Sequence, residues 1–195
     1  MSFIQCVPRS KGELYRRNLS EKSPCVAIDV SSFGTQPYSL LSPETFSEDF
    51  AIPVPGLEGV VAHSVEGIWQ GLKLINGVSD HTLFDTITHK RGRGELTGYQ
   101  YGTTILDEQE ARWRIFIPSY KFYLDHFAPQ EAINSLLGFQ QQGRKVFVYD
   151  VASNDDISKP EPYAHAAALA TYLNLKIFNR EVDEKIRRED DAAVY

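Results

Sequence analysis

The sequence predicts an α+β protein, a mainly helical single domain with a few short strands. Three observations lead there. The chain has 195 residues, 42% of them hydrophobic, enough for one sizeable core and short for two. Apolar residues recur at helical spacing, as in Val65, Ile68, Leu72 and Ile75. Strand-like patterns are few and short, with Val26, Ile28 and Val30 alternating with Ala27, Asp29 and Ser31, and an unbroken run at Val146 to Val151.

Residues 1–24 are polar and basic, carrying Lys11, Arg16 and Arg17 and few apolar anchors. They are predicted to be an N-terminal arm, with the globular domain over 25–195. The Val26 to Val30 alternation predicts a half-buried strand. Between Ser32 and Gly59, Pro37, Pro43, Pro53 and Pro55 predict a long ordered loop pinned by aromatic anchors such as Phe33, Tyr38, Phe46 and Phe50. Loops this long usually serve a site. Ser64 fits a helix N-cap. A second short helix is expected over 79–88, then a basic glycine-rich loop from Lys90 to Gly102. Helices follow at Glu108 to Arg114 and Ser119 to His126, and a third starts at Pro129 and stops near Gly138. The strand at Val146 ends in Asp150, before Asn154-Asp155-Asp156. Ala164 to Leu175 has strong helix propensity. Glu181, Asp183 and Glu184 precede Lys185, Arg187 and Arg188 by four residues, the pattern of an exposed, ion-paired C-terminal helix.

Composition narrows the function classes. A formal charge of −6 argues against nonspecific nucleic-acid binding, which needs a basic excess. Cys6 and Cys25 are too few for a disulfide framework, which points to a reducing, cytoplasmic setting. Neither a signal peptide nor a membrane span is apparent. His63, His81, His89, His126 and His165 are scattered without metal-ligand spacing, so no metal is expected. The Lys90 to Gly102 loop has neither a P-loop nor a dinucleotide fingerprint, and no resident cofactor is expected. Its Lys and Arg residues nonetheless suit phosphate oxygens.

The strongest candidate for chemistry is the helix after Ser64. Glu66, Gln70 and Lys73 stand at i, i+4 and i+7 beside Trp69, on a face other than the apolar stripe. Such a face is either solvated or the wall of a polar pocket. Asp150, at the end of the clearest strand, and Asp155 beyond it are the carboxylates that would face Glu66 in general acid–base work.

Ser64-Val65-Glu66 with Trp69-Gln70 and Lys73 resembles the signature helix of NADAR-type proteins, which include the riboflavin-biosynthesis-intermediate N-glycosidases. Leu41 to Phe46 is similar to that family's entry segment, and Lys90 to Arg93 to its basic Gly/Arg turn. Arg112-Trp113 with Tyr120-Lys121-Phe122 resembles its Trp region and following helix. The resemblance covers residues 38–175. It implies a NADAR-like fold and hydrolysis of an N-glycosidic bond in a phosphorylated ribose or ADP-ribose-like nucleotide derivative. Glu66 would be the basic or stabilising carboxylate, with Asp150 or Asp155 as the second. Lys73 and Arg93 would hold phosphate, with Lys90 in the same basic turn and Gln70 beside Glu66. Trp69 or Trp113 would stack on the base. Two differences support an alternative. Gly67 stands where the family pattern has His, and the family's Asp-x-x-Trp-Gly segment after the last strand is absent. The alternative is a noncatalytic nucleotide-binding or interaction protein of the same fold.

Overall fold

The computed structural model describes residues 3–19, 23–87 and 90–192, with side chains described as far as residue 183. His89 and the charged side chains of Glu184, Lys185, Arg187 and Arg188 therefore lie outside what is described.

The predicted N-terminal arm is instead built into the fold. Ile4–Cys6 forms β1, Arg9–Asn18 forms α1 and Cys25–Asp29 forms β2. Its polar composition misleads because α1 buries only Gly12 and is braced along its exposed face. There Glu13 pairs with Arg9 at 2.8 Å and Arg17 at 3.6 Å.

The long loop after β2 contains one 3-10 turn at Tyr38–Leu41. Tyr120 donates to the Leu41 carbonyl at 2.6 Å, and Tyr123 donates to that of Leu40. Ile52–Pro53 (β3) and Val61–Ala62 (β4) pair antiparallel. Helix α2 (Val65–Leu72) starts at the predicted cap, where Ser64 Oγ accepts the Gly67 N–H at 2.9 Å. It ends earlier than its apolar stripe suggests, because Lys73–Ile75 becomes strand β5. Arg91 takes the carbonyls there, donating to Gln70 at 3.4 Å, Lys73 at 2.5 Å and Val78 at 3.0 Å.

The expected helix over 79–88 is only a 3-10 turn, His81–Phe84. Much of the predicted glycine loop is strand: Leu96–Tyr101 (β6) and Thr104–Leu106 (β7) join β5 in an antiparallel sheet of order β5-β6-β7. Asp107 and Glu110 cap α3 (Glu108–Ala111) reciprocally. A π-helical turn, Arg112–Phe116, leads into α4 (Ile117–His126). Helix α5 (Gln130–Gln141) runs past Gly138, where the sequence predicts a stop. The stop falls at Gly143, whose φ of 77° suits glycine. Lys145–Tyr149 forms β8, and α6 (His165–Ala192) joins the predicted Ala/Leu helix to the charged C-terminal one.

Strand β8 lies between β1 and β2, parallel to both. The carboxyl ends of β2 and β8 therefore open side by side onto the loops beginning at Val30 and Asp150. The core between this sheet and the helices includes Ile68, Leu72, Leu124, Ile133, Val148 and Leu169. Asn174 of α6 covers the β1 edge, bonding both the N–H and the carbonyl of Ile4 at 2.9 Å. The result is a single α+β domain in which helix outweighs strand. No helix among the described residues is long and apolar enough to cross a membrane.

Asp150 joins β8 to α6. Its Oδ2 accepts the Ala166 N–H at 2.9 Å and lies 2.9 Å from His165 Nδ1, while its Oδ1 accepts the Ala152 N–H at 2.6 Å. His165 Nε2 reaches the Val30 carbonyl at 2.9 Å. With an acceptor at each ring nitrogen, His165 fits as an imidazolium donating twice. Burial pushes the His165 pKa down, but the hydrogen bond and charge of Asp150 outweigh it and the net shift is upward. Burial likewise pushes Asp150 up, but bonds from His165, Ala166 and Ala152 bring it below its ordinary value.

Two expectations follow for stability. The pair's contribution is complete between the ordinary Asp and His values of about 3.9 and about 6.5. It is lost as pH rises through the raised His165 value, and as pH falls through the depressed Asp150 value. Urea midpoints across pH measure this, and Asp150→Asn should flatten the profile and cost about 3–5 kcal/mol. Gly12→Ala should also destabilise, although alanine is ordinarily the better helix former. Its Cβ would lie 2.2 Å from the fully buried Tyr149 ring, and the same urea titration should show a loss of about 1–3 kcal/mol.

Candidate functional site

Open parallel sheets bind ligands beyond the carboxyl ends of their strands. Here that region holds a cavity of about 530 Å³ between the ends of β2 and β8, helix α2 and the β5-β6 hairpin. Its size suits a small-molecule ligand. Glu66, Trp69 and Gln70 of α2, Lys73 of β5, Lys90 and Asp150 all line it. Six of the nine residues singled out from sequence thus share one concavity. The polar face of α2 is a pocket wall, while Val65, Ile68 and Leu72 of the same helix are buried in the core.

Glu66 is held in a definite geometry. Gln70 Nε2 donates to Glu66 Oε1 at 2.9 Å, and Gln70 Oε1 accepts the Arg91 N–H at 3.2 Å. The amide is thereby fixed in orientation, since its nitrogen must face the carboxylate. Glu66 Oε2 takes no hydrogen bond among the described residues and is available to a ligand. Burial raises the Glu66 pKa. Gln70 opposes that shift, nearby Glu44 adds to it, and Lys90 and Lys73 oppose it. A raised pKa makes a carboxylate a stronger base for proton transfer.

Burial lowers the Lys73 pKa, and Glu66 and Glu108 act in the opposite direction. The Lys73 ammonium makes no ion pair or hydrogen bond among the described residues. Lys90 is exposed at the same cavity. Two cations thus line the cavity with no hydrogen bond or ion pair among the described residues, as does Glu66 Oε2. Trp69 stacks obliquely on Tyr99, with centroids 4.3 Å apart, so one indole face is already covered.

Four of the predicted residues are placed or engaged differently from the sequence expectation. Asp150 lines the cavity, with both oxygens engaged by Ala152, Ala166 and His165. Arg93 is exposed and lies outside the cavity lining; Arg91, two residues earlier, is spent on backbone carbonyls. Asp155 and Trp113 both line a different cavity. For Trp113 the reason is helical geometry. Within the π turn, consecutive residues point apart, so Arg112 lines the first cavity and Trp113 the second.

Several lining residues were not legible as site residues. Phe33, read as a buried anchor, is 78% exposed at the cavity mouth. Its signal was its place just beyond a strand, which marks a site only once β2 is known to be parallel. Glu44 lines the cavity with one oxygen held by Ser32 Oγ at 2.6 Å. Glu108, also lining it, is bound to Arg112 at 2.7 Å. Arg112 is buried and donates to the carbonyls of Ile157, Lys159, Pro160 and Glu161, holding that loop beside the site. Tyr163 meets Phe116 edge-on at 6.5 Å. His165, one of the scattered histidines, lines the cavity with Nδ1 2.9 Å from Asp150. Among the described residues no three His, Cys, Asp or Glu side chains gather as a metal site.

Comparison with known proteins finds one family. No curated protein and no solved structure matches the chain. A family model described as a family of unknown function, DUF6939, matches residues 12–169, a span from α1 to the first turns of α6 that contains every residue lining the cavity. The chain belongs to the DUF6939 family.

Proposed function

We propose that this protein hydrolyses an N-glycosidic bond in a phosphorylated ribose or ADP-ribose-like nucleotide derivative, with Glu66 as the catalytic carboxylate. One observation carries the reading. Glu66, with a raised pKa, shares a cavity of about 530 Å³ with Lys73 and Lys90, and neither Glu66 Oε2 nor the Lys73 ammonium has a partner among the described residues.

The ammonium groups suit phosphate oxygens. The exposed ring of Phe33 at the mouth and the Tyr163 ring suit the base. Glu66 takes a proton from water as the water oxygen bonds to the anomeric carbon. The carbon–nitrogen bond breaks, its electron pair leaves with the nitrogen, and the nitrogen takes a proton from solvent. Carboxylate charge beside the sugar stabilises the oxocarbenium-like transition state. The same reading carries the NADAR-like relationship suggested by the α2 motif. Free Cys6 and Cys25 support the accompanying cytoplasmic location.

A second reading, nucleotide binding without hydrolysis, is favoured by the engagement of both Asp150 oxygens by Ala152, Ala166 and His165, which leaves Glu66 as the less engaged carboxylate.

The test pairs a binding assay with a cleavage assay. ADP-ribose should raise the melting temperature of the wild-type protein, and phosphorylated N-ribosides should release free base, followed by chromatography. Glu66→Gln should lower kcat/KM by about 10²–10⁴-fold and leave ADP-ribose stabilisation intact. Lys73→Met should weaken ADP-ribose binding by about tenfold or more. Because Glu66 must be ionised to act as the base, turnover should fall as pH drops through its raised pKa. Stabilisation without base release supports the noncatalytic reading, and unchanged turnover in Glu66→Gln removes Glu66 from the mechanism.

A further inference from the structure

Trp113 and Asp155, the two predicted site residues absent from the first cavity's lining alongside Arg93, meet in a second one. We infer that this second cavity, in the groove between α4 and α6, is a binding site for a planar organic cation. The inference is independent of whether Glu66 cleaves a glycosidic bond.

The groove encloses about 490 Å³, again the size of a small-molecule site. One wall is the face of α4 bearing Ile117 and Leu124, and the other is the face of α6 bearing Ala168 and Leu175. The walls are tied together by Tyr172, which donates to Asp125 at 2.7 Å. Trp113 is 55% exposed and Leu175 58% exposed, two large apolar side chains left open along one groove. Both side chains are open to a ligand that enters the groove.

Charge selects the occupant. Lys121 lines the groove, but its ammonium is taken by Asp125 at 2.5 Å. Asp156 is held by Ser158 on one oxygen and lies 3.9 Å from Lys159 on the other. Asp155 has no hydrogen bond or ion pair among the described residues. The groove therefore offers aromatic faces and an uncompensated carboxylate. A flat cation satisfies both, by stacking on the Trp113 indole and by pairing with Asp155. A neutral ring would gain only buried area, and an anion would meet repulsion.

The location also fits a functional site. π-Helical turns concentrate at such sites. This one turns Arg112 to the first cavity and Trp113 to the second, and the Tyr163 side chain lines both.

Isothermal titration calorimetry of the full chain with N-methylquinolinium chloride tests the inference. Saturable one-to-one binding is expected. Trp113→Ala and Asp155→Asn, both at exposed positions, should each weaken it by about threefold to thirtyfold while circular dichroism stays native. Glu66→Gln should bind the probe as the wild type does. Naphthalene-2-sulfonate, a flat ring system of opposite charge, should not saturate. Absence of saturable binding overturns the inference. So does undiminished affinity in both groove variants, weakening by Glu66→Gln, or equal affinity for the sulfonate. A dimer by light scattering that excludes the probe and dissociates in Trp113→Ala would assign the groove to a second copy instead.

Discussion

The carboxylate of Asp150 is the contact on which the open edge of the sheet depends. It accepts two backbone N–H groups and faces the imidazole of His165, which in turn reaches the Val30 carbonyl. Three separate chain segments, at the ends of β2 and β8 and the start of α6, are thereby held within hydrogen-bond reach of one another. The first cavity lies at their junction. A buried charge without this pairing would be costly, so the arrangement has little freedom to relax.

Arg112 plays the corresponding part on the other wall. Buried in the π turn, it satisfies four carbonyls of a loop that has little regular structure of its own, and Glu108 balances its charge. Backbone carbonyls in such a loop need partners wherever water is excluded. One planar side chain with a fork of donors meets that need. Consecutive residues of a helix point in different directions, so the next residue, Trp113, lines the neighbouring groove, and this one turn borders two cavities.

Legibility in the sequence followed the range of the interactions. The Ser64 cap, the polar face of α2 and the β8 strand depend on neighbours within a few residues, and each is recognisable from spacing. The gathering of Glu66, Gln70 and Lys73 was readable for the same reason, although Lys73 reaches the cavity from a strand. The N-terminal segment was opaque because its burial is supplied by others: β1 is short, and α1 offers Gly12 to the ring of Tyr149, 137 positions later in the chain. No apolar periodicity records such a contact. Phe33 and His165 were obscure for a related reason, since their meaning depends on which strands are parallel neighbours.

By itself, the sequence determined the fold class, the main helices and the two-faced character of α2, because propensity, capping and periodicity act locally. Only the tertiary structure decided which carboxylate is available. Glu66 has a raised pKa and one oxygen without a hydrogen bond among the described residues, whereas both oxygens of Asp150, equally prominent in the sequence, are engaged by Ala152, Ala166 and His165. The physical reason is that the reactivity of an acidic group is set by desolvation and by the donors around it. Those donors come from segments far apart in the chain, and only folding brings them together.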